Sequence, residues 1–255
     1  NLIFLSGTNV LRNDGTLNVI GGKLSTTLAN CTIIVNNSSA TLVVKDRGKI
    51  DSSTNATLID NSGTTNITNG AYLHTVGAYG VINKDQLNIV DLNNDDDENT
   101  SSNLEAPWLY VRNEYNDYHG NPATIYNDQN ATANVYGGLF TDAKTYDTAT
   151  PEPSMIIDNK GTANIKNLDT YAYHIGGNSG TLTIENSKFY NLDYHSLNNY
   201  GTLNMNYSEV INNYAYGGGL FALISNTANF DHVRFVGKDS NTTYSAMTEA
   251  KAKAW

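Results

Sequence analysis

The stretch Asn159-Lys160-Gly161-Thr162-Ala163-Asn164-Ile165 decides the fold, because the chain writes it repeatedly. It recurs as Asn13-Asp-Gly-Thr-Leu-Asn-Val19, Asn61-Ser-Gly-Thr-Thr-Asn-Ile67, Asn178-Ser-Gly-Thr-Leu-Thr-Ile184 and Asn199-Tyr-Gly-Thr-Leu-Asn-Met205. Weaker copies centre on Thr41, Gln86, Thr132 and Thr227. Taking the threonine or its equivalent as anchor, the positions are 16, 41, 64, 86, 132, 162, 181, 202 and 227. The spacings scatter around the low twenties. The one exception, 46 between 86 and 132, is twice 23 and reads as a coil that has lost its motif. A drifting period of this length is the signature of a solenoid whose loops absorb insertions.

The alignment predicts a direction for each side chain. Three residues past the anchor stand Val19, Val44, Ile67, Ile89, Val135, Ile165, Ile184, Met205 and Phe230, all apolar. Two past it, seven of nine residues are Asn, the exceptions being Val43 and Thr183. Alternate strand residues face opposite sides, so the first column belongs inside and the second outside, where stacked amides can bond to one another. The glycine before each anchor is expected to supply a positive φ at a corner. An apolar segment precedes each motif (Thr32-Ile-Ile-Val, Ala123-Thr-Ile-Tyr). A third segment follows it, ending near Leu24, Leu73, Phe140, Phe189, Val210 and Phe235. The expectation is an all-β, right-handed parallel β-solenoid (β-helix) of about nine or ten coils. At about 4.8 Å per coil that makes a rod on the order of 45 Å long.

Composition agrees. The chain has 38 Asn, 21 Gly and 17 Tyr but 4 Pro, the inventory of a chain that turns often. A net charge of −10 argues against a nucleic-acid partner, which requires a basic footprint. No apolar stretch is long enough to cross a bilayer. Cys31, the lone cysteine, reads as a buried structural thiol inside an apolar strand. The pattern is already running at Asn1, so the expectation is a monomeric module of a larger surface protein. Residues 1–245 would be the solenoid, with 246–255 as a cap or the start of a linker.

The least regular stretch, 91–122, is an insertion, and loops that interrupt a regular scaffold are where function concentrates. It contains Trp108, Tyr110, Arg112, Tyr115, Tyr118 and His119. Its acidic run includes Asp95, Asp96 and Asp97. Clustered carboxylates suit calcium, but the run lacks the EF-hand spacing, so a solvated loop is the better reading and no cofactor is expected. Tyr-His recurs as Tyr173-His174 and Tyr194-His195, at one offset from adjacent anchors, which predicts a tyrosine column beside a histidine column. Flat aromatic faces suit sugar rings. Histidine changes charge near pH ~6.5, so protonation of His119, His174 and His195 beside Arg112 would favour an acidic polysaccharide as pH falls.

The motif-bearing coils resemble the binding regions of lactobacillar serine-rich repeat adhesins and, more broadly, the pectin-lyase-like β-helical adhesins of bacteria. The resemblance implies an extracellular, cell-surface, non-catalytic domain that binds host or plant polysaccharide or glycoprotein, acidic polysaccharide in a pH-dependent way among them. It transfers no individual binding residue. The alternatives are a polysaccharide lyase or hydrolase on the same scaffold and a structural stalk. A glycosidase needs two carboxylates across the sugar. The aspartates near the corners, Asp60, Asp128 and Asp158, read as turn residues instead.

Overall fold

Every anchor but the last opens a strand: Thr16–Ile20, Thr41–Lys45, Thr64–Thr68, Gln86–Val90, Thr132–Tyr136, Thr162–Lys166, Thr181–Glu185 and Thr202–Asn206. The ninth strand, Ala228–Asp231, begins one residue after Thr227. All nine lie side by side in chain order as one sheet, and every pairing in it is parallel. The computed structural model describes residues 9–68, 70–91, 108–112, 123–141, 155–171, 174–192, 197–212, 221–223, 227–238 and 244–246. Among them there is no helix.

Register within this second sheet follows the motif: Thr162 pairs with Thr132 and Thr181, and Ile165 with Val135 and Ile184. Gln86 pairs directly with Thr132. The spacing of 46 is therefore not a lost coil. The two motifs are on neighbouring rungs, and the extra length is an insertion within one of them. Alternation works as expected, with Val44, Ile67, Ile89, Val135, Ile165, Ile184 and Met205 fully buried and the Asn column half exposed. Phe230 departs from its column at 40% exposure, on the last strand of the sheet.

The apolar segments before the motifs form a first sheet of nine strands, from Asn9–Asn13 to Phe221–Leu223, also in chain order and parallel. Here two successive residues turn inward, as in Ile33-Ile34, Leu58-Ile59 and Ile156-Ile157. The segments after the motifs make a third face in two five-stranded sheets. One runs Lys23–Thr26, Lys49–Ser52, Tyr72–Val76, Trp108–Arg112, Leu139–Thr141. The other runs Asp169–Tyr171, Lys188–Leu192, Glu209–Asn212, Arg234–Lys238, Tyr244–Ala246. The last pairing, Val236 with Ala246, is antiparallel, so the chain doubles back over the final rung on this face. Such a reversal covers an otherwise open strand edge. Ile50, Leu73, Phe189 and Val210 supply the third wall of a single continuous core. Cys31 is buried beneath the start of a strand, its thiol on the Leu28 carbonyl at 3.2 Å.

The outward asparagines bond to one another as expected, and the corner between first and second sheets holds a further row of amides. The first Asn of each motif points inward. Asn13, Asn36, Asn61, Asn83, Asn127, Asn159, Asn178 and Asn199 are all buried. Each but the last donates Nδ2 to Oδ1 of the next, at 2.7–2.8 Å. Those seven also reach an anchor carbonyl one rung on, as Asn127 does to Thr162 at 3.0 Å and Asn159 to Thr181 at 3.0 Å, while Asn199 donates to the Gly201 carbonyl at 3.1 Å. Buried polar groups stay folded only when satisfied, and here the rungs satisfy one another.

The corner glycines do not serve the purpose expected of them. Gly63, Gly161, Gly180 and Gly201 are not among the residues with positive φ. A Cβ at Gly63 or Gly161 would instead strike the carbonyl oxygen of Ala40 or Ala131 on the rung below; at Gly180 or Gly201 it would strike that of Gly161 or Gly180. Gly15, on the first rung of the described residues, would meet nothing within 4 Å. Close backbone approach, not a left-handed turn, selects glycine.

Candidate functional site

The first five strands of the third face place Lys23, Lys49, Tyr72, Trp108 and Leu139 in one register column. Ser25, Asp51, His74, Tyr110 and Thr141 form the next, and Val76 pairs with Arg112. Leu24, Ile50 and Leu73 lie between the columns and pack on the core, which leaves Lys49, Asp51, Tyr72 and His74 on the outer side. Asp51 is the hub. Lys23 Nζ lies 2.6 Å from its Oδ2 and His74 Nδ1 lies 2.6 Å from its Oδ1. Lys49 Nζ stands 5.4 Å from the centre of the Tyr72 ring, and the Tyr72 and His74 rings are 6.2 Å apart at 39°.

Partial burial pushes the Asp51 carboxyl upward, but hydrogen bonds from Lys23 and His74, reinforced by their charges, hold it below the usual carboxylate range. A depressed carboxylate contributes stability that is present above its unfolded value, near ~3.9, and is lost as pH falls through the folded one. The cluster therefore holds together at neutral and mildly acidic pH. Burial, with the Asp51 charge second, pushes the Tyr72 phenol up, so it stays a neutral donor.

Of the residues singled out in the sequence, Trp108, Tyr110 and Arg112 join this face by register. Tyr115, Tyr118, His119, Tyr173, Tyr194, His195 and the acidic residues Asp95, Asp96 and Asp97 lie outside the described residues. His174 opens the strand His174–Asn178 in the first sheet and pairs with Met155. The Trp108 strand and His174 thus belong to different sheets. Sequence reasoning missed Lys23, Lys49, Asp51, Tyr72 and His74. Asp51 and His74 are 23 residues apart, one coil, and that spacing was the available signal. Among the described residues no group of three or more His, Cys, Asp or Glu side chains is placed to hold a metal ion.

On the first sheet the outward column reads Val35, Asp60, Ile82, Tyr126, Asp158, Gly177, Asn198. Asp60 and Asp158 are therefore strand residues, not turn residues. Asp60 is held by Lys84, whose Nζ is 2.6 Å from Oδ1 and 2.8 Å from Oδ2. Only Asp128 behaves as a turn residue, accepting the Gln129 N–H at 2.8 Å. No protein-family model, curated protein or solved structure matches this chain.

Proposed function

We propose that the chain is an extracellular, non-catalytic glycan-binding module of a bacterial surface protein, and that the Tyr72/His74 face binds acidic polysaccharide. One observation carries this reading: Lys23 and His74 pair with Asp51 and Lys49 stands over the Tyr72 ring on one face, with Trp108 and Arg112 on the rung beside them. Aromatic faces with hydrogen-bonding rims suit sugar rings. The charge is the discriminating part. The whole chain carries −10, yet this face sets Lys23 and Lys49 against the single carboxylate of Asp51. An anionic polymer repelled by the molecule at large finds its attractive patch here. As pH falls toward the carboxylate range the net negative charge of the chain shrinks, so the repulsion of an anionic polymer weakens and binding strengthens.

The test is binding to immobilised polygalacturonate at about pH 5 and about pH 7.5, for the unmodified chain and for Lys49→Ala, Tyr72→Ala and His74→Gln. Tighter binding at the lower pH is expected, weakened by Lys49→Ala and His74→Gln and roughly tenfold by Tyr72→Ala, or about 1.4 kcal/mol. Binding indifferent to both Lys49→Ala and Tyr72→Ala would sink the assignment. New reducing ends or unsaturated product would overturn its non-catalytic part.

A further inference from the structure

Two aspartates in the outward column of the first sheet live in different circumstances. Asp60 accepts a hydrogen bond from Lys84 at Oδ2, 2.8 Å away, and its Oδ1 is buried in ion-pair contact with the same ammonium at 2.6 Å. Asp158 is half buried and accepts no hydrogen bond among the described residues. Burial pushes its carboxyl up, and the charge of Lys160 only partly offsets this. Below it in register is Tyr126, met by Tyr79 edge-on with ring centres 5.7 Å apart at 62°. Lys160 Nζ stands 4.8 Å from the centre of the Tyr126 ring.

The rung above Asp158 is Gly176-Gly177, and the two glycines have different reasons to be there. Gly176 is dictated by the fold: its φ is 134°, and a Cβ would run into the Ile157 backbone. Gly177 carries no such constraint. It has no positive φ, and the nearest atom to its Cβ would be Asp158 Oδ1 at 3.4 Å, an ordinary contact. A side chain would fit, and none is present. The result is a notch one residue wide in a column otherwise filled by side chains. Its floor is Gly177, its lower wall Asp158 and Tyr126, and its upper neighbour Asn198. From Asp158 to Asn198 the register spans two strand spacings, about 9.5 Å.

We propose that Tyr79, Tyr126, Asp158, Lys160, Gly177 and Asn198 form a second sugar site, for a neutral pyranose, separate from the Tyr72/His74 face. Asp158 and Asp128 both act on the single ammonium of Lys160, so an anionic ligand is not favoured. A partly exposed carboxylate with no hydrogen bond from the described residues can take two hydroxyl donors in short, charge-assisted hydrogen bonds. The phenols and the Asn198 amide offer both donors and acceptors, and the tyrosine rings offer an apolar surface. A ligand with several hydroxyls and one apolar face, and without charge, is a neutral sugar ring.

The site does not depend on the acidic-polysaccharide reading, and the experiment separates the two. Saturation-transfer NMR on the whole chain would use cellotetraose, mannotetraose, xylotetraose and maltotetraose as probes, with polygalacturonate alongside. At least one neutral probe is expected to bind. Gly177→Val, which fills the notch, and Asp158→Asn, which keeps its shape, should each weaken that binding roughly tenfold and leave polygalacturonate unaffected. Tyr72→Ala should do the reverse. Thermal melting of each variant establishes that it is folded, and Asp158→Asn stands as the readout if Gly177→Val is not. Failure of every neutral probe to bind, or full binding by a folded Gly177→Val, overturns the second site. Loss of polygalacturonate binding alone overturns only the first.

Discussion

Two rows of asparagine run the length of this rod, made of the same residue and bonded in the same way, and they do unequal work. The inner row of eight is buried at the corner between the first and second sheets, and its direction is pinned. Each Nδ2 also donates to a backbone carbonyl, so amide oxygen and nitrogen cannot trade places. The outer row is half exposed on the second sheet and runs the other way: Asn88 donates to Asn66, Asn134 to Asn88 and Asn164 to Asn134, at 2.9–3.0 Å. Val43 and Thr183 break it, and a separate pair, Asn229 to Asn204, follows the second gap. The inner row has no interruption from Asn13 to Asn199; it stops where Asn199 pairs with Leu223. Burial is what differs. A water molecule can replace an amide partner on the outside but not within the corner, so only the inner row is held to one residue type.

The largest effect should therefore come from the middle of the inner row. Asn127→Ala leaves Asn159 Oδ1 with no donor and opens a cavity. The expected cost is about 3 kcal/mol or more, read as the shift in a urea unfolding transition. Asn127→Asp is sharper. An ionised aspartate can still accept from Asn83 but cannot donate to Asn159. Burial raises its folded pKa, so the stability it contributes is present below about pH 3.9 and lost as pH rises through the folded value. This variant should gain on the unmodified chain as pH falls. Equal stability of Asn127→Ala and the unmodified chain would erase the distinction between the rows.

The second effect tests the glycines that let the inner row close up. Gly180→Ala drives a Cβ into the Gly161 carbonyl and should cost about 2–4 kcal/mol. Gly15→Ala, at the same motif position but with nothing within 4 Å of the added Cβ among the described residues, should lie within about 0.5 kcal/mol of neutral. If both were equally harmful, a backbone-angle requirement would replace close approach as the reason for glycine.

How much of this was legible depended on which signal a residue carried. The second-sheet columns could be read directly, because one motif and a period of two both specify them. The inner row could not. An asparagine before a glycine is also ordinary turn chemistry, and at Asn36 and Asn127 the corner is two residues longer, which moves the amide out of alignment with its anchor. Only hydrogen bonds between rungs identify it. The third face has no motif of its own, so Asp51 and His74 stood one coil apart without a marker. The insertion hides the register of Trp108 with Tyr72 and doubles the spacing between two motifs that pair directly, so that adjacent rungs resemble rungs with a coil missing between them. The acidic-polysaccharide expectation now rests on different residues from the Tyr-His pairs that suggested it.

A smaller effect belongs to the outer row. Asn134→Ala removes two amide contacts, but the partners, Asn88 and Asn164, are half exposed and can turn to solvent. A cost of about 0.5–1 kcal/mol is expected. A loss as large as that of Asn127→Ala would mean that solvent does not replace the outer partners, and burial would not be what separates the rows.

The smallest effect runs in the opposite direction. Thr183 sits in register between Asn164 and Asn204, and it is what divides the outer row after its fourth consecutive asparagine. Thr183→Asn would place an Nδ2 toward Asn164 Oδ1 and an Oδ1 toward Asn204, joining the two segments into one row from Asn66 to Asn229. Two half-exposed hydrogen bonds are gained, while a β-branched residue well suited to a strand is given up. The terms nearly cancel, leaving a gain of about 0.5 kcal/mol or less, read as a small rise in melting temperature. The comparison between the rows predicts that sign and that smallness together. A gain of several kcal/mol would show that the outer amides are shielded as well as the inner ones. A clear loss would show that Thr183 makes a contribution of its own that stacking cannot replace.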